Sequence, residues 1–104
     1  MAISEGRDFV VVDSDLRTLV PQFLSSKRKD IANAIRALER GDCDSAARTG
    51  HQLKGEGSSF GFDQVTAMGA ELELAAIRGD RSVALKWARS LAEFLDHIEV
   101  RFPD

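Results

Sequence analysis

One cysteine, two prolines, no tyrosine and no Asn-Gly pair occur in these 104 residues. Each scarcity excludes something. The single cysteine, Cys43, cannot form an internal disulfide, and with only two histidines it makes no recognisable metal-ligand spacing. Met1 to Asp8 carry neither the basic nor the apolar region of a secretion signal, so the cytoplasmic compartment is expected. No apolar run approaches the roughly 20 residues that a membrane span requires. With 14 basic and 17 acidic side chains the net charge is −3. That excludes a basic footprint for nucleic acid. No P-loop pattern is present. The length suits one domain over residues 1–104 with no second module beside it, and the opening methionine is expected of a stand-alone protein.

Hydrophobic residues make up 43% of the chain, enough for one packed core. Only Phe9-Val10-Val11-Val12 looks β-prone; elsewhere apolar residues recur at spacings of three and four, the period of an amphipathic helix. A first helical stretch follows the potential caps Asp13, Ser14 and Asp15. Leu16, Leu19, Val20, Phe23 and Leu24 line one face, which continues through Ile31, Ala34, Ile35 and Leu38. Pro21 predicts either a kink or a fresh helix with proline in its first turn. A second helix is expected from Asp42 or Asp44 past Leu53. A third follows Gly61, with Val65, Met68, Leu72 and Ala76 inward. A fourth, opening on Asp80, carries Val83, Trp87, Leu91, Phe94, Leu95, Ile98 and Phe102. Arg40-Gly41-Asp42 and Arg78-Gly79-Asp80 each read as a glycine stop followed by an aspartate cap. Short connections between such helices predict an all-α fold, an up-down-up-down four-helix bundle with an additional N-terminal helix.

The stretch from Thr49 to Phe62 departs from this regularity, because it holds Gly50, Gly55, Gly57 and Gly61. An interior glycine costs a helix about 0.8–1.0 kcal/mol relative to alanine, so the concentration calls for a reason. On a wheel at 100° per residue, Asp44, Ala47, Arg48, Lys54, Gly55 and Ser58 fall within about 60° of His51. Ala46, Thr49, Leu53 and Phe60 fall on the other side. His51 therefore faces solvent, with a lysine three residues on and a residue without a side chain four residues on. A lone histidine on a helix is usually an ordinary surface residue, and its neighbours distinguish this one. Histidine at its ordinary pKa of about 6.5 is largely neutral at pH 7 and a competent nucleophile. A phosphoryl group placed on it would bring negative charge that Lys54 can offset. His97 and Cys43 have no such company.

His51-Gln52-Leu53-Lys54-Gly55, with Gly61 ten residues after the histidine, resembles the core motif of the histidine-containing phosphotransfer (HPt) domain of phosphorelays. Leu72-Glu73 leading to Ala75-Ala76 and Gly79-Asp80 looks like that family's next helix, and Leu19-Val20-Pro21 with Phe23-Leu24 like its first. The resemblance implies a helical phosphoryl carrier, not an enzyme with its own ATP site. His51 would accept the group from an aspartyl phosphate of a receiver domain and pass it to another receiver. It also implies that Lys54 stabilises the phosphoryl oxygens, that Gly55 lets the receiver approach, and that Gly61 serves the turn. Ala47, Arg48 and Ser58 complete the expected partner-binding face. No cofactor is expected on this chain, since the Mg²⁺ of such transfers belongs to the receiver. Expected partners are response-regulator receiver domains or a hybrid histidine kinase, met by a monomer through an interface below or near about 1,200 Å². Glu56 departs from the family pattern of small residues after Lys-Gly. At about 140° from His51 it lies too far round to meet a phosphate. The competing reading is a non-catalytic helical adaptor, for which His51 would be dispensable.

Overall fold

Aspartate and glycine mark the helix boundaries in the computed structural model, which describes residues 9–103. Four helices follow one another: α1 (Val20–Glu39), α2 (Cys43–Phe60), α3 (Asp63–Ile77) and α4 (Arg81–His97). Asp42 caps α2 by accepting from the Ser45 backbone N–H, and Asp80 caps α4 by accepting from that of Val83. The three tight loops turn on Gly41, Gly61 and Gly79, each with positive φ, where a Cβ would be strained. Pro21 stands in the first turn of α1, so a fresh helix forms there and not a kink. Short connections make successive helices antiparallel neighbours, giving the four-helix bundle.

The core runs along the bundle axis. Ile31 and Leu38 of α1, Leu53 of α2, Val65 and Leu72 of α3, and Leu91 and Leu95 of α4 are all buried. Phe62, fully buried in the α2–α3 connection, stacks on Phe23 with ring centroids 5.5 Å apart, and Phe60 stacks on the same ring at 4.1 Å. This aromatic cluster ties the end of α2 to the first turn of α1.

The ends of the chain differ from the sequence expectation. No additional N-terminal helix is found among the described residues, and residues 1–8 lie outside them. Phe9–Val11 instead forms strand β1, followed by a single 3-10 turn over Ser14–Leu16. The fourth helix was expected to carry Ile98 and Phe102, but α4 ends at His97 because Ile98 is extended. Glu99–Arg101 then forms β2, pairing parallel to β1 with Val10 opposite Val100. β-Branched valines at the half-buried positions and exposed residues on either side give the alternation of a one-sided strand. Two residues expected inward point outward: Leu19 is 48% exposed and Val83 38%. Leu19 sits at the cap of α1, before the helical period begins, and Val83 lies in the first turn of α4.

Lys27 is the one buried charge among the described residues, 6% exposed. Its ammonium pairs with Glu56 across the α1–α2 interface and with Asp30 at 3.0 Å. Desolvation by burial is the largest single influence and lowers its pKa. The two carboxylates together outweigh it and hold the group above its ordinary 10.5. Glu56 is therefore turned toward α1, away from His51, and the departure from the family pattern has a packing role.

Candidate functional site

The glycines of α2 divide into two kinds. Gly50 and Gly57 are buried against α3. A Cβ on Gly50 would lie 2.6 Å from the Glu73 backbone nitrogen and 2.8 Å from the Gly69 carbonyl oxygen. One on Gly57 would lie 2.7 Å from the Thr66 backbone nitrogen. Gly69 of α3 answers from the other side, where a Cβ would come within 2.9 Å of Leu53 Cβ. These residues are small so that two helix backbones can approach closely. Gly55 is different, because nothing lies within 4 Å of the position its Cβ would take. Of the three glycines within α2, Gly55 alone leaves bare backbone on the outer surface.

The close approach of α3 brings a carboxylate beside the exposed face of α2. Oε2 of Glu73 lies 2.9 Å from Nδ1 of His51, and Oε1 lies 2.9 Å from Nζ of Lys54. His51 keeps 69% of its side chain exposed and Lys54 keeps 44%, whereas Glu73 keeps only 18%. The carboxylate is thus a partly buried strut under two outward-facing groups. Its pKa is held below the ordinary 4.5, chiefly by the hydrogen bond from Lys54. The bond with His51 adds to this, against a partial desolvation that works the other way. For a depressed carboxyl the stabilisation is complete above pH 4.5 and fades as pH falls through the lower folded value. At neutral pH Glu73 is ionised. A neutral imidazole then donates Nδ1–H to it, leaving the Nε2 lone pair unshared, and Nε2 has no hydrogen-bond partner among the described residues.

The other residues expected at the site are placed as follows. Ala47, Arg48, Gln52 and Glu73 surround His51 in a shallow depression of about 500 Å³. Arg48 donates to the Ser45 hydroxyl at 3.2 Å, which draws its guanidinium back from the imidazole. Ser58 hydrogen-bonds Thr66 Oγ1 at 3.0 Å, tying the exposed side of α2 to α3. Gly61 is the left-handed cap of α2. His97 lies on another helix with Nδ1 2.9 Å from the Glu93 carbonyl oxygen, and Cys43 is half-buried at the start of α2. A groove of about 510 Å³ between α1 and α2 is lined by Phe23, Phe60 and Lys27, with Lys27 already committed to its two carboxylates.

Glu73 is the residue that spacing along α2 cannot reveal. It lies 22 positions from His51, on the neighbouring helix, and joins the site only because Gly50 and Gly69 fix how α3 lies against α2. In the alternation Glu71-Leu72-Glu73-Leu74 nothing local shows which of the two carboxylates faces α2.

Searches of curated proteins and of solved structures gave no match to the chain. The family model of the Hpt domain matches residues 18–100, from the cap of α1 into β2. That span covers all four helices and the whole His51–Lys54–Glu73 cluster. The chain belongs to the Hpt domain family, the histidine phosphotransfer modules of two-component systems.

Proposed function

We propose that His51 is the phosphoacceptor, taking the group from an aspartyl phosphate on a receiver domain and passing it to a second receiver. The observation that carries this reading is an outward imidazole whose Nδ1 is engaged by Glu73 while Nε2 is unshared. The Nε2 lone pair attacks phosphorus, a P–N bond forms, and the P–O bond to the receiver's aspartate breaks with the electron pair leaving on its carboxylate oxygen. Lys54, one helical turn along, offsets the charge of the phosphoryl oxygens. The bare backbone at Gly55 lets the receiver's surface come close to the ring, with Ala47 and Arg48 lining the depression around it and Ser58 further along α2. Mg²⁺ and the acidic residues that hold it are contributed by the receiver. The chain carries the phosphoryl group and has no kinase activity of its own.

Incubation with a phosphorylated receiver tests this reading. Acid-labile phosphate should move onto the chain and then onto a second receiver. A chain that binds receivers but never acquires label would be an adaptor. Lys54→Ala should slow transfer by about tenfold, the lower end of what a charge-assisted hydrogen bond contributes, since the ammonium is partly solvated. Its Tm should stay within about 2–4 °C of wild type, because exposed substitutions change stability little. Stopped-flow transfer kinetics and a thermal melt check both, and an unchanged transfer rate would remove Lys54 from the mechanism.

A further inference from the structure

We propose that Arg48 is a second phosphoryl-binding cation, parked on Ser45 in the unloaded carrier and swung onto the phosphoryl oxygens once His51 is loaded. This role, which rests on His51 being the acceptor, puts Arg48 in contact with the cargo itself and not only with a docking receiver. The contact forms in the loaded carrier before any receiver arrives.

Helical geometry puts Arg48 beside the space that the cargo fills. Side chains on a helix lean toward its N-terminus, so the imidazole of His51 covers the turn before it, which holds Ala47 and Arg48. The depression around the ring has that outline. Ala47, Arg48, Gln52 and Glu73 line it together with His51. Lys54 lines a different depression with Ala70, Leu74 and Ile77, and Glu73 stands between the two. Of the two cations one turn from the histidine, Arg48 alone shares the hollow with the ring. By rotation Arg48 and Lys54 stand about 60° to either side of His51, so together they grip a phosphoryl group from opposite flanks.

The two cations differ in what already holds them. Lys54 lies 2.9 Å from Oε1 of Glu73, so its charge is balanced before loading. Arg48 forms no ion pair among the described residues. Its Nη2 donates to the Ser45 hydroxyl at 3.2 Å, a long bond to a neutral acceptor. Phosphoryl oxygens are charged acceptors, and charge-assisted hydrogen bonds are roughly twice as strong as neutral ones. The planar guanidinium can also give two parallel N–H bonds to two of those oxygens, which an ammonium cannot. Leaving Ser45 disturbs little. Ser45 keeps its own bonds to Asp42, from the hydroxyl at 2.7 Å and from the backbone N–H at 3.1 Å, so the cap of α2 stays intact. The swing is a change of rotamer and moves no proton.

The test loads wild type, Arg48→Gln and Arg48→Lys with phosphoramidate, a small phosphoryl donor that needs no receiver. Arg48 is exposed, so each variant keeps the fold. The phosphoryl group is then titrated by 31P NMR. A cation in contact with it favours the dianion, so the midpoint in Arg48→Gln should lie above that of wild type by about half a unit to one unit, the contact being open to solvent. Arg48→Lys, which keeps the charge and loses the planar fork, should lie between them. In 15N-edited spectra the side-chain N–H resonances of Arg48 should shift when the wild type is loaded. Loading of Arg48→Gln by a phosphorylated receiver should be about tenfold slower than that of wild type. Identical titrations, or Arg48 resonances that do not move on loading, would overturn the proposal even if receiver-dependent transfer slowed, because Arg48 would then serve docking alone. Failure of a receiver to load a protein that phosphoramidate loads would count against the carrier function instead and leave this comparison intact.

Discussion

His51→Gln should abolish acceptance of phosphoryl groups from a receiver, with no residual transfer above background, and leave the fold in place. Glutamine's amide nitrogen has its lone pair delocalised into the carbonyl, so no nucleophile remains above Glu73. Its N–H can still reach the carboxylate, which keeps Glu73 and Lys54 in position. The side chain replaced is 69% exposed and no apolar core is disturbed. Stability should therefore change by no more than about 0.5 kcal/mol, or roughly 2–4 °C in Tm. His97 offers no substitute, since it sits at the end of α4 with its Nδ1 turned to the Glu93 carbonyl. His97→Gln should be labelled like wild type. Labelling by a phosphorylated receiver and a circular-dichroism melt measure both halves of the expectation. Equal labelling of wild type and His51→Gln would remove the acceptor role from His51.

The second large effect separates two glycines five residues apart. Gly50→Ala pushes a methyl group against backbone atoms of Glu73 and Gly69, which cannot rotate away as a side chain would. Overpacking costs about 1–3 kcal/mol, and contact with backbone places this case at the upper end. Alanine returns about 0.8–1.0 kcal/mol in helix propensity. The net loss is about 2 kcal/mol, which lowers Tm by about 8–16 °C in a domain of this size. Widening the α2–α3 gap also withdraws Glu73 from His51 and Lys54, so transfer should slow even at temperatures where the protein is folded. Gly55→Ala should do the reverse to stability. Open space lies where its methyl group would go, so the propensity gain of about 0.8–1.0 kcal/mol is kept and Tm rises. Receiver-dependent transfer should nevertheless fall, because the methyl group occupies the approach surface. Opposite signs in the two melts, measured side by side, distinguish a packing glycine from a docking one.

These two glycines also mark the boundary of what the sequence made legible. Helix period, caps and glycine stops depend on residues within a turn of one another, so the four helices and the exposed face bearing His51, Lys54 and Gly55 could be read directly. Gly50 and Gly57 raised suspicion of a functional surface as part of the same cluster. Their true neighbours, Glu73 and Thr66, belong to α3, and only the docked helices reveal that they are packing residues. Glu73 escaped for the same reason. The chain ends failed differently. The segment before Pro21 begins with β-prone residues whose partner lies some 90 positions away, at Val100. A local pattern cannot show such a pairing, and without it an N-terminal helix was the natural expectation. The apolar period through Ile98 and Phe102 likewise continued on paper past His97, where the backbone turns extended. Glu56 was placed well clear of the imidazole by rotation alone, but its partner Lys27 on α1 was not foreseeable.

The central claim is that Nε2 of His51 is the atom that receives the phosphoryl group. The most direct measurement is 15N–31P NMR of the uniformly 15N-labelled protein after loading by a phosphorylated receiver. The geometry predicts a single phosphorus resonance coupled to Nε2 of His51. Phosphorus on Nδ1, on His97 or on a carboxylate, or no phosphorus on the chain at all, would contradict it.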